Sequence, residues 1–203
     1  MSAFAKRLFD IFVALSLGVI LMPVVIAFAL LIAISDGPPV FYVSERMRTP
    51  DRSFRLWKLR TMRTDLQDSG VTGGDKADRI TPIGHILRKL RLDEIPQLWN
   101  VLRGDMSLVG PRPPLPHYVE RYPKIYGPVL QSRPGVTGLA TLVFHRHEER
   151  LLSHCKTPQE TEETYVRVCI PRKARLDQIY ANNRSLRLDI WILWQTLRKI
   201  LPC

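Results

Sequence analysis

The sequence predicts a mostly α-helical protein with a small β component, an α+β fold. Three observations predict it. An uncharged apolar run covers 11–34, later segments show the periodicity of amphipathic helices, and only short stretches after residue 40 have the composition of strands. We predict that 1–35 form a re-entrant membrane helix hairpin and that 36–203 form a compact cytoplasmic domain whose amphipathic helices lie at the membrane interface.

The anchor prediction depends on Pro23, near the middle of the apolar run. A proline there removes one backbone hydrogen bond and clashes with the preceding turn, so a kink is expected. Each half would be about 18 Å long, shorter than the hydrocarbon core. Basic residues flank both ends of the run: Lys6, Arg7, Arg46, Arg48, Arg52, Arg55, Lys58 and Arg60. Both ends therefore favour the cytoplasmic side, which a re-entrant helix allows; a kinked spanning helix is the alternative.

The predicted elements of the remaining chain are short. In chain order they are a strand at 40–43, a polar turn at 49–53, a strand at 54–62, a surface loop at 67–78, helices at 83–92 and 95–102, a proline-rich connection at 105–116, a turn-rich loop at 133–138, a helical stretch at 159–182 that Pro171 breaks or restarts, and a helix at 186–201. Gly104 is expected to end the second helix. Trp191 and Trp194 beside basic residues are typical of an interfacial helix, and core packing of these tryptophans is the alternative.

Composition limits the function classes. The 203 residues fit one domain with a short appendage, and the formal net charge of +11 calls for an anionic partner. Nucleic acid, an acidic membrane surface and a phosphorylated substrate all meet that condition. Cys155, Cys169 and Cys203 form no CxxC pair. Neither a disulfide framework nor a zinc site is therefore indicated, which favours a reducing compartment.

Residues 91–113 contain the side chains that indicate the type of reaction. Asp93 and Glu94 are adjacent carboxylates at a predicted helix start, and a glycine- and proline-rich turn follows that presents Arg112. Carboxylates can hold a divalent cation or attack phosphorus, while a guanidinium binds phosphoryl oxygens in a bidentate fork. The combination suits phosphate chemistry, although an Asp–Glu pair alone is more often a feature of a helix N-terminus.

With its surroundings, this stretch resembles the signature of the monotopic bacterial sugar transferases, the polyprenyl-phosphate phosphoglycosyl transferases typified by the initiating enzyme of bacterial N-glycosylation. The resemblance covers nearly the whole chain. It is carried by Lys6-Arg7, Phe9-Asp10, Pro23, Gly37-Pro38, Val40-Phe41, Lys58, Arg60-Thr61-Met62, Asp93-Glu94, Gly110-Pro111-Arg112-Pro113, Arg133-Pro134-Gly135, Thr137-Gly138 and Leu188-Asp189.

The resemblance implies a two-step exchange with a covalent intermediate. Asp93 would attack the sugar-bearing phosphate of a UDP-sugar and expel UMP, and Glu94 would assist the attack of polyprenyl (undecaprenyl) phosphate in the second step. Mg²⁺ is the expected cofactor, with Asp93 as its protein ligand. The implied location is the cytoplasmic face of the bacterial inner membrane, in monotopic contact with the bilayer, without a nucleic-acid partner.

Substrate contacts are expected from Arg112, presented by Pro111, and further candidates are Lys58, Arg60, Arg88 and Arg133. The resemblance also leads us to expect that this chain lacks the additional membrane helices and further domain of larger relatives. Two alternatives stay open: a membrane-anchored basic lipid-binding protein without catalysis, and a glycosyltransferase that releases UDP.

The chain departs from the common family pattern in two places. The departures are Ser44, Glu45, Thr49 and Pro50, where glutamine and glycines are usual, and Thr141, where glutamine is frequent. Both lie outside the acid pair and the phosphate loop, so they bear on the sugar donor and not on the type of reaction.

Overall fold

A computed structural model describes residues 3–63, 71 and 73–200. Its helices are α1 Ala3–Ser35, α2 Pro82–Leu90, α3 Gln97–Arg103, α4 Pro116–Arg121, α5 Pro123–Val129, α6 Leu139–Ser153, α7 Pro158–Thr164, α8 Ile170–Asn182 and α9 Leu186–Ile200. Its strands are β1 Phe41–Thr49, β2 Arg52–Leu59, β3 Ser107–Val109 and β4 Gly135–Thr137. The predicted mostly helical fold with a small β component is confirmed.

Helix α1 is one continuous element that contains Pro23, whereas the prediction divided this segment into two halves. A proline removes a single hydrogen bond, so the helix can continue through it. By length and composition Phe4–Ser35 could cross a membrane, and only 6% of its most apolar window is buried inside the protein. The fold-back at Pro23 is not confirmed and stays a prediction.

The two ends of α1 are both attached to the folded domain. Near the start of the helix, Ala14 lies in the core formed with α3, and near its end Ile32 packs against Leu59 and Leu87. Between these attachments Val19 and Ile20 are 72% and 69% exposed. The middle of the helix therefore contributes an apolar surface that the domain does not cover.

A buried ion pair ties α1 to α9. Lys6 Nζ lies 2.8 Å from Asp10 Oδ1 on its own helix and 2.8 Å from Asp189 Oδ2 on α9. Asp10 also accepts a hydrogen bond from Ser107 Oγ, and Asp189 accepts one from the Tyr180 hydroxyl. The first helix, the last helix and β3 thus meet at one polar cluster inside the apolar core.

Strands β1 and β2 form an antiparallel hairpin in which Phe41 pairs with Leu59, with a bulge between Met47 and Thr49. The predicted strands at 40–43 and 54–62 were placed correctly but with wrong bounds, because β1 continues through polar residues. Its exposed face tolerates them, since an antiparallel pair can have one face in water. The predicted polar turn at 49–53 narrows to Pro50 and Asp51.

Strands β3 and β4 form a parallel pair, with Ser107 opposite Gly135 and Val109 opposite Thr137. The connections predicted at 105–116 and 133–138 were therefore wrong at these residues. The chain around Gly110 approaches β4 closely, because a Cβ on Gly110 would lie 2.2 Å from the carbonyl oxygen of Arg133.

Two predictions for the rest of the chain need adjustment. The surface loop predicted at 67–78 lies partly outside the described residues, and Gly74–Arg79 forms a 3₁₀ helix. The stretch at 159–182 is divided by a π-helical turn at Tyr165–Cys169, and Pro171 lies in the first turn of α8, where its missing N–H is tolerated. The restart at Pro171 is confirmed, as is the helix from 186 within the described residues.

Candidate active site

The acid pair lies in a short 3₁₀ turn, Leu92–Glu94, between α2 and α3. Helix α2 ends earlier than predicted because Arg91 takes a left-handed conformation with φ 56°. The acids lie before α3, which begins at Gln97 and not at residue 95 as predicted. Gly104, with φ 86°, ends α3 as predicted. A left-handed non-glycine residue costs about 1 kcal/mol or more, and such positions cluster at functional sites. This bend leaves Asp93 and Glu94 only 8% and 7% exposed.

Glu94 is surrounded by three cations. Lys58 Nζ and Arg112 Nη2 donate to its Oε1 at 2.9 and 3.1 Å, and Arg91 Nη2 donates to its Oε2 at 3.0 Å. Burial alone would raise the pKa of Glu94, but the three cations lower that pKa well below its usual range. Glu94 is thus a fixed negative charge that holds these side chains together.

Asp93 is buried beside the same lysine but is much less well paired. Lys58 Nζ lies 3.8 Å from its Oδ2, and within 3–63, 71 and 73–200 no hydrogen bond reaches either oxygen. Burial raises the pKa of Asp93, the charge of Glu94 raises it further, and Lys58 only partly offsets both. The carboxylate of Asp93 is therefore the one with free coordination capacity.

Three of the predicted basic residues lie around the acid pair. Lys58, from β2, contacts both acids, and burial lowers its pKa although Glu94 opposes that shift. Arg112 pairs with Glu94, which raises the Arg112 pKa. Arg88, from α2, donates to Thr61 Oγ1 at 3.0 Å, and its pKa is lowered by burial against the attraction of Asp93. Together they make the surroundings of the carboxylates strongly positive.

The other predicted residues have different surroundings. The guanidinium of Arg60 donates to the carbonyl oxygens of Asp36 and Gly37 at 2.8 and 2.6 Å, where it holds the end of α1. Arg133 lines a separate cavity, away from the acid pair. Pro111 accepts a hydrogen bond from the Gly135 amide at 2.8 Å, which fixes the loop that carries Arg112.

Three site residues were not predicted. Arg91 precedes the acids directly, so its position in the sequence could have identified it. Arg46 donates to the Pro113 carbonyl at 3.4 Å, and burial together with the charge of Arg112 lowers its pKa to about 10. His145 Nε2 lies 2.8 Å from Arg91 Nη1, and the separation of 54 residues leaves no local signal for that contact.

A magnesium ion fits this site only if substrate phosphates supply some of its ligands. Among 3–63, 71 and 73–200, no group of three or more His, Cys, Asp or Glu residues could hold a metal. Mg²⁺ is commonly held by one or two carboxylates together with substrate phosphates and water. Asp93 meets that requirement because its oxygens accept no hydrogen bond from the described residues.

The chain is similar to known proteins along almost its whole length. Residues 1–202 match the family model described as "Bacterial sugar transferase". The chain is 33% identical, over 98% of its length, to "UDP-N-acetylgalactosamine-undecaprenyl-phosphate N-acetylgalactosaminephosphotransferase" of Aeromonas hydrophila, and it spans 44% of that protein. It is 42% identical, over 58% of its length, to "Putative undecaprenyl-phosphate N-acetylgalactosaminyl 1-phosphate transferase" of Bacillus subtilis (strain 168), of which it spans 66%. It is 40% identical, over 95% of its length, to "Exopolysaccharide production protein PSS" of Rhizobium leguminosarum bv. phaseoli, and it spans 92% of that protein.

Proposed function

Because the chain belongs to the bacterial sugar transferase family, we propose that it transfers a sugar 1-phosphate from a UDP-sugar to undecaprenyl phosphate and releases UMP. The observation that carries the proposal is Asp93, a buried carboxylate with no hydrogen bond from the described residues amid Lys58, Arg88 and Arg112. The names of the relatives from Aeromonas hydrophila and Bacillus subtilis support the lipid acceptor. The chain spans 44% and 66% of these two relatives. The proposal therefore also depends on the site residues of this chain.

In the first step, a carboxylate oxygen of Asp93 attacks the phosphorus that bears the sugar. An oxygen–phosphorus bond forms, and the bond to the departing phosphate of UMP breaks, with the electron pair leaving on UMP. The raised pKa makes the ionised carboxylate more basic and therefore a better nucleophile. Lys58 and Arg112 would bind the phosphoryl oxygens whose charge changes during this step.

In the second step, an oxygen of the lipid phosphate attacks the same phosphorus and releases Asp93. The products are the regenerated carboxylate and undecaprenyl diphosphate sugar. The attacking oxygen is already ionised near neutral pH, so the step needs no strong base. The lowered pKa of Glu94 makes it a weak base, and its three ion pairs fit a positioning role that keeps Lys58, Arg91 and Arg112 in place.

Asp93 is the residue that would hold a magnesium ion, together with the donor diphosphate. The ion would neutralise the charge of the diphosphate as the leaving group departs.

The same proposal places the site at the cytoplasmic surface of the bacterial inner membrane. Helix α1 is attached to the domain near both ends, and its uncovered middle contains Pro23. A helix bent there would enter and leave one leaflet and return both ends to the same domain. On α9, Trp191 and Trp194 are 47% and 59% exposed, which favours the interfacial role of these tryptophans over core packing.

Product analysis tests the reaction class. The full chain is incubated with undecaprenyl phosphate, Mg²⁺ and each of several UDP-sugars, and the nucleotide product is identified. UMP supports the proposal and also identifies the sugar. Release of UDP would replace the proposal by simple glycosyl transfer, and absence of turnover with any donor would favour a lipid-binding protein.

The nucleophile is tested by substitution. We expect Asp93→Asn to reduce turnover by at least 10³-fold, since an amide oxygen is a poor nucleophile, and to abolish a phosphosugar adduct in intact mass spectrometry. Asp78→Asn, at an exposed position, is the matched control and should retain both adduct and turnover. Substantial activity of Asp93→Asn would show that another group attacks phosphorus.

A further inference from the structure

A second cationic cavity lies apart from the acid pair. It has a volume of about 270 Å³. Its charged lining is Lys6, Arg7, Asp10, Arg48, Arg133 and Arg184. Of the basic residues predicted from the sequence to contact substrate, Arg133 alone lines it, and the acid pair, Lys58, Arg88 and Arg112 do not. The cavity therefore requires its own explanation.

Two of the cations are already engaged within the protein. Lys6 is neutralised by Asp10 and Asp189, and Arg7 donates at 2.6 and 2.8 Å to the carbonyl oxygens of Val101 and Leu102, at the end of α3. These contacts hold the side chains of Lys6 and Arg7 in place on one side of the cavity. That side keeps a positive charge, because carbonyl oxygens do not cancel the charge of Arg7.

Among the described residues, the remaining three cations are not paired with an acid, although the charge of Asp10 acts on Arg133 and opposes the lowering of its pKa by burial. Within the part of the chain that the structure describes, Arg48, Arg133 and Arg184 form no ion pair and no side-chain hydrogen bond. They come from β1, from the loop before β4 and from the connection between α8 and α9. The pKa of Arg133 is lowered by burial and then by the charges of Arg48 and Arg7. Convergence of like charges is unfavourable unless an anion binds among them.

The position of the cavity indicates where that anion comes from. Arg7 lies in the first turns of α1, whose Phe4 and Leu8 are 72% and 52% exposed. Arg184 lies two residues before α9, which carries the exposed Trp191 and Trp194. Both helices therefore present apolar surface next to the cavity, as expected for a site at the depth of lipid headgroups.

We propose that this cavity binds the phosphate-bearing headgroup of an anionic membrane lipid, at a site separate from the acid pair. A phosphate group suits the arginines because guanidinium groups bind its oxygens in bidentate fashion. The volume exceeds that needed for one phosphate, so the headgroup can enter with its adjoining glycerol. Bound lipid would fix the start of α1 against the domain and favour the orientation in which the active site faces the bilayer.

The test measures headgroup binding directly. The full chain, in micelles of an uncharged detergent, is titrated calorimetrically with dihexanoyl phosphatidylglycerol and, separately, with dihexanoyl phosphatidylcholine. We expect binding of the first lipid and at least tenfold weaker binding of the second. The triple variant Arg48→Gln, Arg133→Gln, Arg184→Gln should bind phosphatidylglycerol on the order of 100-fold more weakly, at roughly fivefold per cation.

Two controls separate this cavity from other cationic surfaces. The matched variant Lys124→Gln, Arg146→Gln, Arg167→Gln removes three exposed cations and should change the affinity by no more than about twofold. Arg112→Gln alters the acid-pair site and should also leave the affinity unchanged. The proposal would be overturned if either control lost as much affinity for phosphatidylglycerol as the cavity variant, or if the cavity variant lost none.

Two further arms complete the test. The variant with lysine at all three cavity positions keeps the charge and should retain most of the binding, so that misfolding of the glutamine variant cannot imitate loss of the site. Titration with inorganic diphosphate distinguishes the source of the anion. Diphosphate binding as tight as that of phosphatidylglycerol, and lost in the same variant, would reject the lipid headgroup in favour of a soluble anion.

Discussion

Asp93 and Glu94 are adjacent in sequence, yet their electrostatic environments are opposite. Both are buried, but Glu94 receives hydrogen bonds from three cations and Asp93 receives none from the described residues. The fold therefore stabilises the charge of Glu94 and disfavours the charge of Asp93. A nucleophile kept in an unfavourable charged state gains when it bonds to phosphorus, because its charge is then removed.

This difference predicts opposite effects of the two isosteric substitutions on stability. Asp93→Asn removes a disfavoured charge and should raise Tm by roughly 2–4 °C, about 1 kcal/mol, while abolishing turnover. Glu94→Gln leaves Lys58, Arg91 and Arg112 without their anion and should destabilise the protein by about 3 kcal/mol. Thermal unfolding of both variants in the same detergent at pH 7 is the measurement.

The pH dependence of unfolding tests whether the charges of Asp93 and Glu94 cause these stability changes. The pKa of Glu94 is lowered in the folded state, so its stabilising effect is present above the ordinary value of 4.5 and is lost as pH falls below it. The difference between Glu94→Gln and the parent protein should therefore shrink below that pH. The pKa of Asp93 is raised, so the gain from Asp93→Asn should shrink as pH falls below that pKa and should be gone below the ordinary value of 3.8, where the carboxyl is neutral in both the folded and the unfolded state. A gain from Asp93→Asn that persisted at low pH would require another origin.

At this scale the sequence identified the residue types but not all their positions. Lys58, Arg88 and Arg112 were predicted to contact substrate, and the structure brings them to the acid pair. Arg60 was predicted on the same grounds, but β2 ends at Leu59, and the chain turns its guanidinium towards the end of α1. Composition cannot distinguish a lysine inside a strand from an arginine one residue beyond it.

Among the elements, the parallel pair β3–β4 connects the core to the loop with Arg112. Its strands are only three residues long and pair across a gap of 25 residues, so neither has a detectable pattern in the sequence. Helices α2, α3 and α9 were predictable because their periodicity is local. The pairing of β3 with β4 depends on contacts that only the folded chain makes.

Because the chain at Gly110 lies so close to its neighbours, adding one methyl group there should lower both stability and activity. In Gly110→Ala the new Cβ would lie 2.2 Å from the Arg133 carbonyl oxygen, so β4 or the Arg112 loop must move. We expect destabilisation of about 2–3 kcal/mol and at least a tenfold loss of UMP release. Gly127→Ala in α5 is the control, because nothing lies within 4 Å of its Cβ. It should be neutral or slightly stabilising. Similar behaviour of the two variants would show that the contact at Gly110 is readily relieved.

At the scale of the whole molecule, the apolar helix α1 contacts the folded domain near both of its ends. If α1 bends at Pro23 as proposed, both ends lie on the cytoplasmic side. Single cysteines introduced by Ser2→Cys and, in the domain, Lys124→Cys, in a Cys203→Ser background, should then react with an impermeant thiol reagent only in inside-out vesicles. The buried Cys155 and Cys169 should contribute little to labelling.

A spanning helix would give the opposite pattern for one position. Ser2→Cys would then react only in right-side-out vesicles, while Lys124→Cys would keep its labelling from the inside. The sequence alone did not decide between these arrangements, because a proline and basic flanks occur in both. The attachment near both ends of α1, through Ala14 and Ile32, was the information that only packing could provide.

The buried pairing of Lys6 with Asp10 and Asp189 has a consequence for biosynthesis. Helix α1 is translated before α9, so Lys6 leaves the ribosome well ahead of the Asp189 carboxylate that completes its charge cluster. A nascent chain can therefore engage the membrane long before its domain can close. We expect closure of α9 over Lys6 to be a late event in maturation, so chains shortened before residue 189 should reach the bilayer and then be removed by proteases as unfinished protein.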